Sequence, residues 1–348
     1  MSKSTEYALE PGSLVVVSGA NGNIASHVVD KLLQLGFRVR GTVRSKDRGG
    51  WIADHFGAKY GADKIEVVEV PDMGAPSAFD EAVRGAAGFV HVATPVMENA
   101  NPNEAVPTVV RGMTNVLQAA AAEPSIKRVV ITSSSGAATN PKPNTMFHID
   151  SNMWNEEAVE AAWKPPPYEG LERKLNVYYA CKTQGEQAAW KFVDERKPGF
   201  VLNAILPNAN FGRVVDAGHQ AYHSTLGWTK AVWDGFQGDD AALKDQPPQY
   251  YINIEDNAWV HAAALLYPDV KGERLFTFAH PYNWNDILAV LRKAYPERKF
   301  IDDIPDLGQD LSTVTNERAE ELLKRVAGHG WTSLEDSVKQ AVEGFAEK

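Results

Sequence analysis

Cysteine is almost absent from this sequence of 348 residues, because Cys181 is its only example. A single cysteine excludes a framework of internal disulfides. No Asn-x-Ser/Thr glycosylation sequon occurs, and the first residues, MSKSTEYALEPGS, lack the apolar segment of a secretory signal. Together these absences favour a protein of the cytoplasm.

Long hydrophobic runs and an excess of positive charge are missing as well. No stretch reaches the roughly 18 consecutive apolar residues that a membrane span requires, so we expect no membrane partner. The 35 Lys and Arg residues against 45 Asp and Glu residues leave a net charge of -10, which argues against nucleic acid as a partner. The hydrophobic content of 44% is still enough for a sizeable core.

Short apolar runs alternate with spacers that have helical character. The runs lie at residues 14–17, 38–43, 65–70, 89–93, 128–133 and 200–206. β-branched runs that are apolar on both faces are typical of a parallel sheet covered by helices on two sides. The pattern therefore predicts a doubly wound parallel α/β sheet, a Rossmann fold.

The alternation of strands and helices becomes irregular after Pro207. We therefore predict a dinucleotide-binding domain over residues 1–207 and a smaller substrate-binding lobe over 208–348. Some segments of the lobe, at about 250–280, are expected to return to the first domain. The proline-rich stretch at 139–175, with TNPKPN and WKPPPYEG, is expected to be a surface excursion.

A glycine-rich turn follows the first predicted strand. Its pattern is Gly-x-x-Gly-x-x-Ala, formed by Gly19, Gly22 and Ala25, with Asn23 and Ile24 opening the next helix. Glycines at these positions permit a sharp turn and a close approach of a pyrophosphate to the helix N-terminus. The alternative is a glycine turn that binds nothing. Its position after the first strand favours a dinucleotide site.

The end of the second strand indicates which dinucleotide is bound. An NAD site usually has a carboxylate here, whereas this chain has Arg44, Lys46 and Arg48. A guanidinium can hold a 2'-phosphate through paired, charge-assisted hydrogen bonds, so NADPH/NADP+ is the expected cofactor. A solvated basic loop is the alternative, and Asp47 remains a residue that would suit NAD.

Tyr178 and Lys182 stand four residues apart in a segment with helical character, so they share one face of the helix. An ammonium near the phenol is expected to lower the tyrosine pKa toward a value useful for proton transfer. The fifth predicted strand runs into Thr132-Ser133-Ser134-Ser135, where a hydroxyl could contact a substrate carbonyl. The Tyr and Lys spacing is common on ordinary helix surfaces. It indicates a catalytic site only together with the glycine turn and the serine-rich strand end, which precede it in the sequence.

This ordered set resembles the extended short-chain dehydrogenase/reductases. Within them it is similar to the dihydroflavonol reductase-like group, and most of all to the NADPH-dependent aldehyde (carbonyl) reductases of red yeasts. The resemblance covers nearly the whole chain, through SGANGNIASHVV, VRGTVRS, KRVVITSSS, VYYACK, LPN, PPQYY and GQDLS. It implies reduction of aldehydes and ketones, among them aryl ketones and keto esters, to chiral alcohols.

The resemblance also assigns roles to individual residues. Ser134 would polarise the carbonyl, Tyr178 would donate the proton, and Lys182 would tune Tyr178 and bind the nicotinamide ribose. Trp228 and Gln249 would line the substrate pocket beside Ser134, although most aromatic residues in that region could equally be core. The remaining cofactor contacts that it implies are Arg44, Arg48, Asp72, Met73, Ala93, Thr94, Pro207 and Asn210.

Two other functions use the same fold. A nucleotide-sugar epimerase or dehydratase has the same Ser, Tyr and Lys but retains NAD, and the cations after the second strand argue against it. A non-catalytic dinucleotide sensor would not need the intact set. His219 and His223 have the spacing of a helical metal pair but no evident third ligand, so no metal is expected. Monomer and homodimer both remain open.

Overall fold

The computed structural model describes residues 6–94, 99–222 and 224–346, without the side chain of Asp239. Its largest sheet has seven strands, which are β1 Leu14–Ser18, β2 Arg38–Val43, β3 Ile65–Glu69, β4 Gly88–His91, β5 Arg128–Thr132, β7 Val201–Pro207 and β10 Arg274–Thr277. Shorter strands form two small sheets, and these are β6 His148–Ile149, β8 Ala209–Phe211, β9 Gln249–Asn253, β11 His280–Tyr282 and β12 Thr313–Val314.

The described residues also form α-helices along the whole chain. They are α1 Asn23–Gln34, α2 Lys46–Gly49, α3 Trp51–Tyr60, α4 Asp80–Val83, α5 Pro102–Ala122, α6 Glu156–Ala162, α7 Leu171–Arg196, α8 Leu226–Trp233, α9 Ile254–Leu266, α10 Trp284–Ala294, α11 Glu317–Ala327 and α12 Leu334–Glu343. Short 3-10 helices lie at Ser135–Ala137 and Gly238–Asp245.

The large sheet confirms the predicted doubly wound α/β fold. Its strand order is β10-β7-β5-β4-β1-β2-β3, and the pairs from β3 across to β7 are parallel. All residues of β1 and β5 are buried, as apolar strands covered on both faces should be. From β1 the chain adds β2 and β3 toward one edge of the sheet, and it then adds β4, β5 and β7 toward the other edge. The boundary between β1 and β4 is therefore a topological switch point, which is where an open α/β sheet binds its ligand.

The chain divides into two compact units. The first comprises the residues up to Asn140 together with Ser151–Leu206 and His261–Leu275, and the second comprises Pro141–Asp150, Pro207–Val260 and the residues from Phe276 onward. The assignment of cofactor to the first part of the chain and substrate to the second stays a prediction.

Within the first unit, Arg128 joins the segment His261–Leu275 to the start of β5. Its guanidinium is buried and donates hydrogen bonds of 2.6 to 3.0 Å to four backbone carbonyl oxygens, those of Ala264, Leu265, Tyr267 and Val270. These acceptors offset the desolvation of the cation. Most of the residues 261–275 therefore form part of the core of this unit, far in sequence from the strand they contact.

The second unit has a largely aromatic core beside its three-stranded sheet, which has the order β11-β9-β8. Phe211 lies 5.0 Å from Tyr282 between ring centroids, and Trp284 lies 5.5 Å from Trp228, in edge-to-face arrangements. Such pairs stabilise by roughly 0.5–1.5 kcal/mol beyond the area they bury. Its other sheet pairs β6 with β12, and this pairing accounts for part of the proline-rich excursion predicted at 139–175.

Candidate active site

Ser134 and Tyr178 meet in the first unit at the carboxyl end of β5. Ser134 is buried and caps the 3-10 turn Ser135–Ala137, where its Oγ accepts from the Gly136 amide at 3.2 Å. The same side chain lies close enough to the Tyr178 hydroxyl to lower the pKa of the phenol. The structure therefore brings together the two hydroxyl groups that the sequence assigns to a carbonyl oxygen.

Lys182 follows Tyr178 by one turn of α7. Its ammonium is nearly buried and donates to Thr94 Oγ1 at 2.8 Å and to the Thr132 carbonyl oxygen at 3.4 Å. Burial lowers the pKa of Lys182 to about 8, because the charged form loses its hydration. The ammonium is thus oriented by the ends of two neighbouring strands and can lose its proton in a mildly alkaline range.

The expected effect of Lys182 on the Tyr178 phenol is wrong for this structure. Burial raises the pKa of Tyr178 above its usual value of 10, and the hydrogen bond with Ser134 offsets only part of that rise. Tyr178 as a whole is half-buried. The ammonium is directed instead to Thr94 and Thr132. Tyr178 therefore stays protonated at neutral pH.

The glycine turn after β1 has the geometry that a close approach of backbone requires. Gly19 has φ of 64°, in the left-handed region, and a Cβ added there would lie 3.0 Å from the Cβ of Ala93. α1 begins at Asn23, with Ile24 in its first turn and Ala25 buried against the sheet. This narrow cradle at a helix N-terminus fits the pyrophosphate of a dinucleotide.

A buried hydrogen-bond network holds the end of β4 against this turn. Ser18 Oγ accepts from the amides of Val92 at 3.0 Å and Ala93 at 3.1 Å, and lies 2.8 Å from His91 Nδ1. With both lone pairs used, the hydroxyl donates to His91 Nδ1, so the imidazole proton resides on Nε2. Burial lowers the pKa of His91 to about 3, and the nearby Lys182 charge acts in the same direction.

The residues predicted to hold the nucleotide end lie after β2 and β3. Arg44 and Arg48 are exposed. Asp72 is exposed and its carboxylate accepts from the Gly74 amide at 2.8 Å. The carbonyl oxygen of Met73 accepts from the Asn115 side chain at 2.9 Å. The arginine side chains are therefore available at the surface for a phosphate.

Four predicted residues belong to the second unit. Pro207, Asn210 and Gln249 are buried, and Trp228 is half-buried against Trp284. The Asn210 side chain is engaged by the Asn257 amide at 2.8 Å. Their assignment to cofactor and substrate stays a prediction.

Sequence reasoning missed the groups that support the catalytic set. Glu186, one turn beyond Lys182, is fully buried and pairs with Arg274, and it also binds Ser133. Gly136 carries no side chain because an added Cβ would lie 2.1 Å from the Tyr179 ring. The four-residue spacing of Lys182 and Glu186 on one helix is a local signal that the two side chains share a face. No local pattern links Arg274 to either of them.

Neither a metal site nor a membrane span appears in the part of the chain that the structure describes. Its His, Cys, Asp and Glu residues form no group of three that could hold an ion. His219 lies 3.2 Å from Asp216, while His223 falls outside the described residues. Its helices include none with the length and apolar character needed to cross a bilayer.

Known proteins share both the sequence and the fold. Residues 19–165 match a family model described as NAD(P)H-binding. Aldehyde reductase 2 of Sporidiobolus salmonicolor is 42% identical over 343 residues, which cover 98% of each chain. The NAD-dependent epimerase/dehydratase terH of Aspergillus terreus is 38% identical and covers 96% of this chain and 97% of its own.

A solved structure extends the similarity to three dimensions. Gre2 of Candida albicans, crystallised with NADPH, superimposes with a TM-score of 0.81 at 26% sequence identity. The match covers 96% of this chain and 99% of that one. The sequence and the fold thus point in the same direction.

Proposed function

The chain belongs to the extended short-chain dehydrogenase/reductase family, and within it we propose an NADPH-dependent carbonyl reductase that converts aldehydes and ketones to chiral alcohols. The observation that carries the proposal is the contact between the hydroxyls of Ser134 and Tyr178, with the Lys182 ammonium one helical turn away. The similarity to an aldehyde reductase along the whole chain supports it.

Tyr178 acts as the proton donor in this proposal. Its pKa is raised by burial, so the phenol is protonated at neutral pH and can give its proton to the oxygen of a carbonyl as that oxygen gains negative charge. Ser134, in contact with the same hydroxyl, donates a second hydrogen bond to that oxygen. Two donors at one point orient the C=O bond, and the pocket that places its two substituents then determines which face is attacked.

The glycine turn and Lys182 would hold the cofactor. Gly19, Gly22 and the N-terminus of α1 suit the pyrophosphate, and Arg44 with Arg48 suits the 2'-phosphate that distinguishes NADPH. When bound, NADPH supplies the hydride. Lys182, as a cation below about pH 8, would bind the nicotinamide ribose.

An NAD-dependent epimerase or dehydratase is a second candidate, because some relatives carry that description. Arg44 and Arg48 argue against it, because an NAD site usually has a carboxylate at this place. Asp47 is the one carboxylate in the segment 44–48. Such an enzyme would be purified with a tightly held nicotinamide and would act on a nucleotide sugar. The intact Ser134, Tyr178 and Lys182 also argue against a non-catalytic sensor.

The test is a substrate panel followed by the loss of NADPH absorbance. Aldehydes, aryl ketones and β-keto esters are supplied with NADPH or NADH to the purified full chain, and chiral chromatography identifies the alcohol. We expect turnover with NADPH and an excess of one enantiomer. Absence of carbonyl reduction together with conversion of a nucleotide sugar would contradict the proposal. Size-exclusion chromatography of the same sample distinguishes a monomer from a homodimer. Separately, we expect the enzyme to act in the cytoplasm.

A further inference from the structure

Glu186 is a buried carboxylate near the candidate site that accepts hydrogen bonds from three side chains. It is 1% exposed and lies one helical turn beyond Lys182 on α7. Ser133 Oγ donates to Oε2 at 2.5 Å, and Trp190 Nε1 donates to Oε1 at 3.0 Å. Arg274 Nε donates to Oε1 at 2.7 Å. The carboxylate is therefore held by three groups, which lie just after β5, on α7 and on β10.

Arg274 is held just as firmly. Its Nη1 donates to the carbonyl oxygens of Ser151 and Met153, both at 2.7 Å, and its guanidinium lies 3.8 Å from the ring centroid of Trp154. Only 7% of the side chain is exposed. The cation thus has defined partners on several sides and cannot leave Glu186 without losing them.

Stability alone is a weak explanation for such a buried ion pair. Removing two charges from water costs several kcal/mol per ion, and well-packed apolar residues of similar volume are often equally stable. The position of this pair is more informative. Glu186 and Lys182 line the same cavity of about 20 Å³, which has room for about one water molecule. Ser133, bound by Glu186, stands between Thr132 and Ser134.

The groups that face Lys182 make Glu186 the relevant anion. Thr94 and the Thr132 carbonyl are uncharged acceptors. His91 on β4 is a neutral imidazole, since burial lowers its pKa to about 3. On α7 itself, burial raises the pKa of Cys181 to about 12, so the thiol carries no charge when Lys182 titrates near 8.

The tyrosines next to Lys182 are also uncharged in that range. Burial raises the pKa of Tyr178 above 10 and that of Tyr179 to about 12. Among the described groups around the ammonium, the Glu186 carboxylate is left as the negative charge, and Arg274 compensates part of it.

We propose that Glu186 and Arg274 are a positioning pair for the reaction, in which Glu186 keeps Lys182 cationic and fixes Ser133 next to Ser134, while Arg274 limits the field of that carboxylate. The inference rests on the proposed function of the Ser134, Tyr178 and Lys182 set. Neither residue touches the reacting atoms in this scheme.

The test is the pH profile of kcat/KM for the wild type and two variants of opposite effect. The wild-type activity should fall as the pH rises past about 8, where Lys182 loses its proton. Glu186→Gln removes the anion and leaves the Arg274 cation, so the alkaline limb should move down by roughly 0.5–1 pH unit. Arg274→Gln leaves the anion uncompensated, so the limb should move up.

A matched control separates this effect from a loss of stability. Arg128→Gln also removes a buried cation, but at the other end of β5, so it should lower the melting temperature and leave the alkaline limb unchanged. Titration of Lys182 followed by NMR of ¹³C-labelled lysine, assigned with Lys182→Arg, reads the same shift without turnover.

An unchanged limb in Glu186→Gln, or shifts of the same sign in Glu186→Gln and Arg274→Gln, would overturn the proposal. If Glu186→Gln does not fold, Arg274→Gln decides alone, because an unchanged or downward shift contradicts the charge argument. Failure of the proposed function has a different signature, since the wild type itself would then show no carbonyl reduction.

Discussion

The ammonium of Lys182 donates a 2.8 Å hydrogen bond to the hydroxyl of Thr94. The bond joins the helix that carries Tyr178 to the segment that follows β4. Sequence reasoning assigned Thr94 only to the lining of the cofactor site. In the structure it is also the nearest acceptor for the buried cation, so it helps determine where the lysine charge lies.

Replacement of Thr94 by valine should lower kcat/KM by roughly tenfold. The variant keeps the shape of the side chain but removes the acceptor of a buried ammonium, a loss of about 1–3 kcal/mol. Thr94→Ser restores the hydroxyl and should recover most of the activity. Steady-state kinetics with NADPH measure both, and equal activity of Thr94→Val and the wild type would contradict the role of this bond.

Tyr178→Phe should lower kcat by about 10² to 10⁴-fold, the usual contribution of a positioned proton donor. NADPH binding, measured by fluorescence titration, should remain close to that of the wild type. Tyr179→Phe is the matched control, since it removes the neighbouring hydroxyl and should retain turnover. Substantial activity in Tyr178→Phe would exclude it as the proton donor.

Arg44→Ala should weaken NADPH binding by roughly 10 to 100-fold, because a charge-assisted hydrogen bond contributes about 1.5–3 kcal/mol. NADH binding should change little, since NADH has no 2'-phosphate. Arg38→Ala serves as the control, because Arg38 is an exposed arginine at the opposite end of β2 that binds the Gly12 carbonyl oxygen. Parallel losses for NADPH and NADH in Arg44→Ala would count against a phosphate site there.

The buried His91 should make the protein sensitive to acid. Its folded-state pKa of about 3 lies below the unfolded value of about 6.5, so between these values the unfolded chain binds a proton that the folded chain does not. The free energy of unfolding should therefore fall by about 1.4 kcal/mol for each unit of pH lost from 6.5 toward 3 on account of this residue. Urea denaturation at several pH values measures the slope.

His91→Gln should reduce that slope, whatever its effect on stability at neutral pH. The control His280→Gln replaces an exposed histidine and should leave the slope in place. An identical slope in His91→Gln and the wild type would show that other groups cause the acid sensitivity.

Much of the first unit could be predicted from local pattern. The β-branched runs at 14–17 and 38–43 coincide with β1 and β2, because a buried strand needs apolar residues on both faces. Helix boundaries were less accessible. The spacer between the runs at 89–93 and 128–133 contains α5, which begins at Pro102 and includes Pro107.

The supporting contacts could not be predicted, because they join residues with no pattern in common. Glu186 and Arg274 are 88 positions apart, and His148 and Thr313 are 165 positions apart. The direction of the Tyr178 pKa shift was also out of reach. It depends on how deeply the phenol is buried, which is set by tertiary packing.

The hydrogen bonds of Arg128 have a consequence for folding during translation. The carbonyls that receive its guanidinium belong to residues 264–270, and the edge strand β10 begins only at Arg274. During translation the nucleotide-binding sheet therefore cannot be completed until this late segment has left the ribosome. A nascent chain that ends at Leu206 lacks both the acceptors for this cation and one border of the sheet.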